Sequence, residues 1–268
     1  MMNEIIVVRG AGDIATGAIQ KLYRAGFKIV ALEIEKPTSI RRRVCLSEAM
    51  YEKEFKVEDV VAKRADSYKE IFEILNDNKV CIVKDTSGEI IEKIKPIAVV
   101  DATLCKKNIG TNRNMADITV ALGPGYIAGD DVDIVVETNR GHNLGKLILN
   151  GSASKNTGVP GIIEGFGIER VVYSPCEGNI EIIKDIGSIV EAGETICIVG
   201  DKHIKASLTG VIRGMIRNGF YVKEGLKIAD IDPRINQRKN CDLISDKARC
   251  IGGAVLESIM MLRQWRNK

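Results

Sequence analysis

The chain has 268 residues, 45% of them apolar and 28% charged, with Lys plus Arg exceeding Asp plus Glu by only 39 to 36. That is enough chain for a sizeable core, but the charge excess and the 4% aromatic content are too low for a dedicated nucleic-acid binder. No apolar run nears the ~20 residues that cross a bilayer, and an acid, Glu4, stands where a leader would be basic, so the expectation is a cytoplasmic protein with no membrane partner.

Glu4 to Arg9 (EIIVVR) is a short apolar run ending in Gly10-Ala11-Gly12, which suits a buried strand. Asp13 to Ala25 then reads as a helix with Ile14, Ala18 and Leu22 on one face, stopped at Gly26. Lys28 to Ile34 is a second strand. Tyr68 to Leu75 reads as helix, and Val80 to Val83, Ile97 to Val100, Ile118 to Leu122 and Val132 to Val136 read as further buried strands. Strands alternating with helices predict a mainly parallel, Rossmann-like sheet with ligand at the strands' carboxyl ends.

The 26 glycines are unevenly placed: eleven fall between Gly110 and Gly167, and eight between Gly178 and Gly225. In the latter stretch Gly178, Ile180, Gly187, Val190, Gly193 and Ile196 recur 32 residues later as Gly210, Ile212, Gly219, Val222, Gly225 and Ile228, an internal duplication. Glycine turns between short alternating strands build hairpins. The stretch Tyr173 to Arg234 resembles a small all-β barrel-sandwich hybrid, the biotinyl/lipoyl-like hammerhead module. Lys202 falls where carrier domains of that type display a modified lysine, but nothing else here handles acyl groups, so covalent biotin or lipoyl is not expected. Ser245 and Asp246 then open a C-terminal helix whose Gly252-Gly253 weakens it unless another backbone packs close. The domains expected are a Rossmann-like ligand-binding domain over 1–168, the all-β module over 169–235, and a C-terminal helix over 236–268 packing on the first domain.

Candidate chemistry gathers at the expected ligand edge. Gly10, Ala11, Gly12, Asp13, Ile14 and Ala15 fit G-x-G-x-x-A, in which glycines admit a pyrophosphate and helix amides attract it. Asp13 departs from that logic, since a carboxylate repels phosphate unless it caps the helix. Glu33, near the end of the second strand, sits where an acid holds a ribose hydroxyl. Arg41 and Arg42, with Arg43 beside them, are placed to clamp phosphate, or else form a solvated turn. Asp101, Thr103, Gly123 and Gly125 all follow predicted strands. Glu137, Arg140 and His142 bring an acid, a base and an imidazole together, a weak catalytic set. The seven cysteines are scattered without a Cys-x-x-Cys pair, and two histidines do not make a metal site, so neither disulfides nor a bound metal ion is expected. Whether any cysteine handles sulfur or selenium is open. Asn156 to Gly161 reads as a rigid loop.

Taken in order, EIIVVRGAGDIATG, LEIEKPTSIRRRV, SEAMYE, ALGPGY, ETNRGHNLG, NTGVPG, GLKIADIDPR and ISDKARCIGGAVLE resemble the YqeB-like family over nearly the whole chain. The resemblance implies an accessory factor of selenium-dependent molybdenum hydroxylases, distantly similar to the XdhC/CoxI maturation proteins. It implies molybdenum cofactor or a nucleotide as ligand, and the hydroxylase or its maturation machinery as partner, with a homodimer left open. The alternatives are an NAD(P)-binding oxidoreductase, disfavoured because no tyrosine is followed four residues later by lysine, and an interaction scaffold without catalysis.

Overall fold

The computed structural model describes residues 4–156, 158 and 160–266, which divide into two compact units. The first takes Met1–Pro37, Cys45–Asn156 and Ile244–Lys268, and the second takes Thr38–Val44 and Thr157–Leu243. Thr157 and Val159, in the glycine-rich Asn156 to Gly161 loop, lie outside the described residues.

The first unit opens as its apolar pattern predicts, with β1 (Ile5–Arg9), α1 (Asp13–Arg24) and β2 (Lys28–Glu33). Then come α2 (Ala49–Glu52), β3 (Glu54–Val57), β4 (Val60–Ala65), α3 (Tyr68–Asn76), β5 (Val80–Lys84) and α4 (Glu89–Ile94). The sheet continues through β6 (Ala98–Asp101), β7 (Ile118–Leu122), β8 (Ile134–Val136) and β9 (Leu147–Ile148). All nine strands form one sheet in the order β3-β4-β5-β2-β1-β6-β7-β8-β9, and α5, taken up below, belongs to the same unit. The strands from β4 to β8 pair in parallel, and β3 and β9 close the two edges antiparallel.

The Rossmann-like, mainly parallel domain expected from the sequence is therefore corrected to a mixed sheet. A doubly wound fold carries a helix in each crossover. Here the β6–β7 connection holds a single 3₁₀ turn, Arg113–Met115, and no helix separates β7 from β8. Gly110, Gly123-Pro124-Gly125 and Gly129 explain this, since glycine and proline do not propagate helix. The β3–β4 hairpin also escapes the sequence pattern, because β3 alternates exposed and half-buried residues up to Val57.

The second unit contains β10 (Val171–Tyr173), β11 (Gly178–Ile182), β12 (Ile189–Val190) and β13 (Thr195–Val199). It continues with β14 (Lys202–Lys205), β15 (Gly210–Met215), β16 (Tyr221–Val222) and β17 (Lys227–Asp232). They make two separate four-stranded sheets, β10-β17-β15-β12 and β14-β13-β11-β16, with antiparallel pairing throughout. The expected barrel-sandwich hybrid closing into one flattened barrel is thus corrected to two sheets. The duplication itself is present. Residues 171–173 and 203–205 also stand 32 apart, so the repeat includes a fourth strand, β10 with β14, that sequence identity did not reveal. Each sheet takes two strands from each repeat, β10 and β12 with β15 and β17 in one and β14 and β16 with β11 and β13 in the other, so the halves interleave and share one core. Ile40 packs against that core, and its carbonyl accepts the Met215 amide at 2.8 Å, which places the Thr38–Val44 segment in this unit.

The last helix, α5 (Asp246–Arg266), belongs to the first unit. Ser245 caps it through the Ala248 amide at 3.1 Å, and it packs along α1. No helix among the described residues is long and apolar enough to cross a membrane.

Candidate functional site

The carboxyl ends of β1, β2, β6, β7 and β8 form one edge of the first unit, and the predicted site residues separate there by accessibility. Gly10 has φ +93°, and a Cβ on it would lie 3.1 Å from the Ala102 carbonyl, so only glycine turns the chain here. Gly12 is the N-cap of α1 and has no atom within 4 Å of a built Cβ, which leaves it open. Ala11, Ile14 and Ala15 are buried and serve packing.

The Ala11 and Ile14 amides of the loop are already engaged. Ala11 N–H donates to Glu33 Oε2 and Ile34 N–H to Glu33 Oε1, both at 2.9 Å. Burial pushes the Glu33 carboxyl above its usual range, and those two backbone donors pull part of the way back. Asp13, the first residue of α1, accepts the Ile14 amide at 2.9 Å, so its carboxylate engages the helix's own first turn. The Ser47 amide donates to the Ala11 carbonyl at 2.9 Å and covers the loop from one side. What faces outward is therefore Gly12 flanked by two carboxylates, Asp13 and Glu33.

Asp101 lies inside rather than on the edge, with half-buried Thr103 bonded to it. Asp101 is 0% exposed and receives the Thr103 amide at 3.1 Å and the Thr103 hydroxyl at 2.6 Å. Arg9, 4% exposed, sits 3.5 Å from Asp101 and donates to the Thr111 hydroxyl, which in turn bonds Asp101. Tyr126 closes the group 3.5 Å from the Thr103 hydroxyl, and burial, with Asp101 adding to it, holds its phenol protonated well above the usual range. Sequence reasoning missed Arg9, Thr111 and Tyr126. A charged residue ending an apolar strand was the one available signal, at Arg9.

Gly123 and Gly125 meet protein, not open space: Cβ atoms there would lie 2.6 Å from the Thr138 hydroxyl and 2.8 Å from the Cys105 carbonyl. The Glu137, Arg140 and His142 set does not assemble. Glu137 is 3% exposed and bound by the amides of Asn139 at 2.7 Å and Ser154 at 2.8 Å. Burial raises its pKa, but these backbone donors outweigh burial and hold it below the usual range. Arg140 pairs with Asp246 at 3.0 Å, and His142 is exposed. Glu137→Gln is expected to cost about 2 kcal/mol at neutral pH, because an amide group would confront an N–H donor. A depressed carboxylate pKa contributes stability above the unfolded pKa and loses it as pH falls through the folded one. The gap between wild type and variant therefore narrows on acidification below about pH 4, read by denaturant titration at several pH values.

Lys247, in the first turn of α5, was not singled out by the sequence. Burial, with Arg140 adding to it, pushes its ammonium below the usual lysine range, against the pull of Asp13, Glu137 and Asp246. It is the cation that accompanies the Asp13 side of the edge. Arg41 and Arg42 lie instead in the second unit, where Arg41 donates to the Leu243 carbonyl at 3.2 Å and Arg42 to Asp185 and the Met215 carbonyl. Arg43 pairs with Asp242 there at 3.4 Å.

Among the described residues no group of three or more His, Cys, Asp or Glu is arranged to hold a metal ion. Burial pushes the thiols of Cys81 and Cys197 up to about 12, so neither supplies a thiolate near neutral pH.

Fold and edge together define a two-unit α/β protein with an acid-flanked opening at the carboxyl ends of a mixed sheet. No family model matches the chain. It is 45% identical over 260 residues to the uncharacterized protein YqeB of Escherichia coli K12, an alignment taking in 97% of this chain and 48% of that protein. The chain thus spans about half the length of the curated relative it matches, and its resemblance to YqeB stands as sequence homology. Among solved structures, a succinylglutamate desuccinylase from Silicibacter sp. TM1040 is 14% identical, with 85% of this chain and 84% of that one covered, at a TM-score of 0.26. An aspartoacylase family protein from Mesorhizobium loti is 12% identical, with 86% and 85% covered, at a TM-score of 0.28. The ectoine utilization protein EutE (DoeB) from Ruegeria pomeroyi, in its product-bound form, is 12% identical, with 85% of each chain covered, at a TM-score of 0.26.

Proposed function

We propose that this chain is a cytoplasmic accessory protein in the maturation of a selenium-dependent molybdenum hydroxylase, holding molybdenum cofactor or a related phosphorylated or nucleotide ligand. The observation that carries the reading is the ordered resemblance to the YqeB-like family, supported by 45% identity to YqeB across 97% of the chain. The partner is the hydroxylase or its maturation machinery, and the tie to XdhC/CoxI proteins is a distant one. Because the alignment takes in 48% of YqeB, the assignment concerns what this portion does.

The edge suits a holder more than a catalyst. Its one acid–base set is dispersed, and Glu137 is locked by backbone donors. The residues present fit a pterin bearing phosphate in a particular way. A pterin ring offers adjacent N–H donors, which a carboxylate accepts well, and Asp13 and Glu33 flank the open Gly12. Phosphate has less welcome at the glycine loop, where Ala11 and Ile14 amides are engaged, so Lys247 is the group to meet it. When bound, the cofactor would bring the metal chemistry of the hydroxylase; this chain's residues bind and orient it.

Calorimetry of the purified chain against molybdopterin, its dinucleotide form and simple nucleotides tests the reading. Binding weakened about tenfold by Asp13→Ala or Lys247→Ala is the expected result. Absence of binding to every one of these, with the hydroxylase still matured in a deletion strain, would overturn it.

A further inference from the structure

A second feature lies away from that edge. Between α4 and the segment that leads into β7 runs an open cleft of about 840 Å³. It exists because the β6–β7 connection carries only a 3₁₀ turn where a crossover helix would otherwise cover the sheet. Its walls are held apart by buried groups. Arg9 donates to the Thr86 carbonyl at 3.4 Å, just before the α4 wall, and to the hydroxyl of Thr111, at the start of the opposite wall. A cleft spaced by a buried guanidinium is preformed and takes an occupant without reorganisation.

The lining has an apolar strip and a charged rim. Half-buried Met115 and Ala116 supply apolar surface, and both pack against the core of the first unit, to which Ile91, 3% exposed, belongs. Glu89, Glu92 and Asp117 set three carboxylates against one ammonium, Lys95, leaving the rim at −2. Glu92, Asp117 and Lys95 make no side-chain hydrogen bond or ion pair among the described residues, and all three are exposed.

We propose that this cleft docks a basic amphipathic helix of a partner protein, which takes the place of the missing crossover helix. The partner's apolar residues at i and i+4 lie along the Met115–Ala116 strip, and its Lys or Arg side chains face Glu92 and Asp117. Charge complementarity selects the occupant, since an acidic or neutral helix would leave the rim's carboxylates uncompensated. The inference does not depend on the molybdenum reading.

Fluorescence anisotropy with two labelled peptides tests it on the full chain. One is a helix-forming sequence of roughly 14 residues, about four turns, with leucine at i and i+4 and lysine elsewhere; the other replaces each lysine by glutamate. The cationic peptide is expected to bind, more weakly as salt rises from roughly 0.05 to 0.3 M, and the anionic one not to bind. Reversing the rim with Glu92→Lys and Asp117→Lys should weaken binding by about tenfold or more. The control pair Glu181→Lys and Glu224→Lys, exposed acids of the second unit, should change it less than about twofold. The proposal is overturned by equal binding of both peptides, by no binding of either, or by rim and control variants losing affinity alike.

Discussion

Replacing Gly252 by alanine is expected to destabilise the first unit by about 3 kcal/mol, while the same change at neighbouring Gly253 stabilises it by roughly 0.5–1 kcal/mol. A Cβ on Gly252 would lie 2.4 Å from the Gly17 carbonyl oxygen and 2.7 Å from its carbon. A Cβ on Gly17 would lie 2.4 Å from the Ala248 carbonyl. These are backbone atoms of a packed helix, so no side-chain rotation relieves the overlap and α5 must shift away from α1. Gly253 has nothing within 4 Å of its Cβ, and there alanine only removes glycine's helix penalty. Gly17→Ala should cost about as much as Gly252→Ala, and the double variant less than the sum, since one displacement of α5 relieves both. The single tryptophan, Trp265, lies on α5 and is half exposed, so its fluorescence during urea unfolding reads this packing directly. Equal effects of Gly252→Ala and Gly253→Ala would show that the helices do not meet as described.

The second large effect concerns charge. Asp101→Asn is expected to destabilise the first unit by about 3–5 kcal/mol, because it leaves the Arg9 guanidinium buried without its counter-ion. Arg9 is 4% exposed and Asp101 0%, so water cannot take over. Adding Arg9→Met removes the stranded charge, and the double variant should recover at least about half of that loss. A coupling energy above roughly 1.5 kcal/mol in the double-mutant cycle is the expected reading, again from Trp265. Additive losses would mean that each residue acts through other contacts, such as the Thr103 amide on Asp101 or the Thr86 carbonyl on Arg9. The outcome also bears on the cleft, because Arg9 joins its two walls.

Local pattern identified much of the framework. The apolar run ending at Arg9, the Ser245 cap and the need for a close backbone at Gly252-Gly253 were each legible, and Gly252, though not Gly253, meets such a backbone. The site was less legible, since which atoms an acid touches depends on residues distant in sequence. Asp101 looked like an edge residue and is instead sealed by Arg9, 92 residues before it, and by Thr111, while Thr103 stays half-buried and bonds Asp101. Arg41 and Arg42 looked like a phosphate clamp and are tied to Leu243 and Asp185 in the second unit. Lys247 was passed over because one lysine in a helix's first turn carries no pattern.

The sequence by itself determined the β1–α1–β2 opening, α3 and the last helix, that two repeats stand 32 residues apart, and that glycine would permit one close helix contact. Those features rest on periodicity, capping and backbone freedom, which act over a few residues or recur at a fixed offset. Only the tertiary structure decided that the sheet is mixed, that the repeats each give two strands to both sheets of the second unit, and that a missing crossover helix leaves a cleft. Strand order and charge pairing are set by competition among distant partners for burial, and that competition is resolved only when the whole core is assembled.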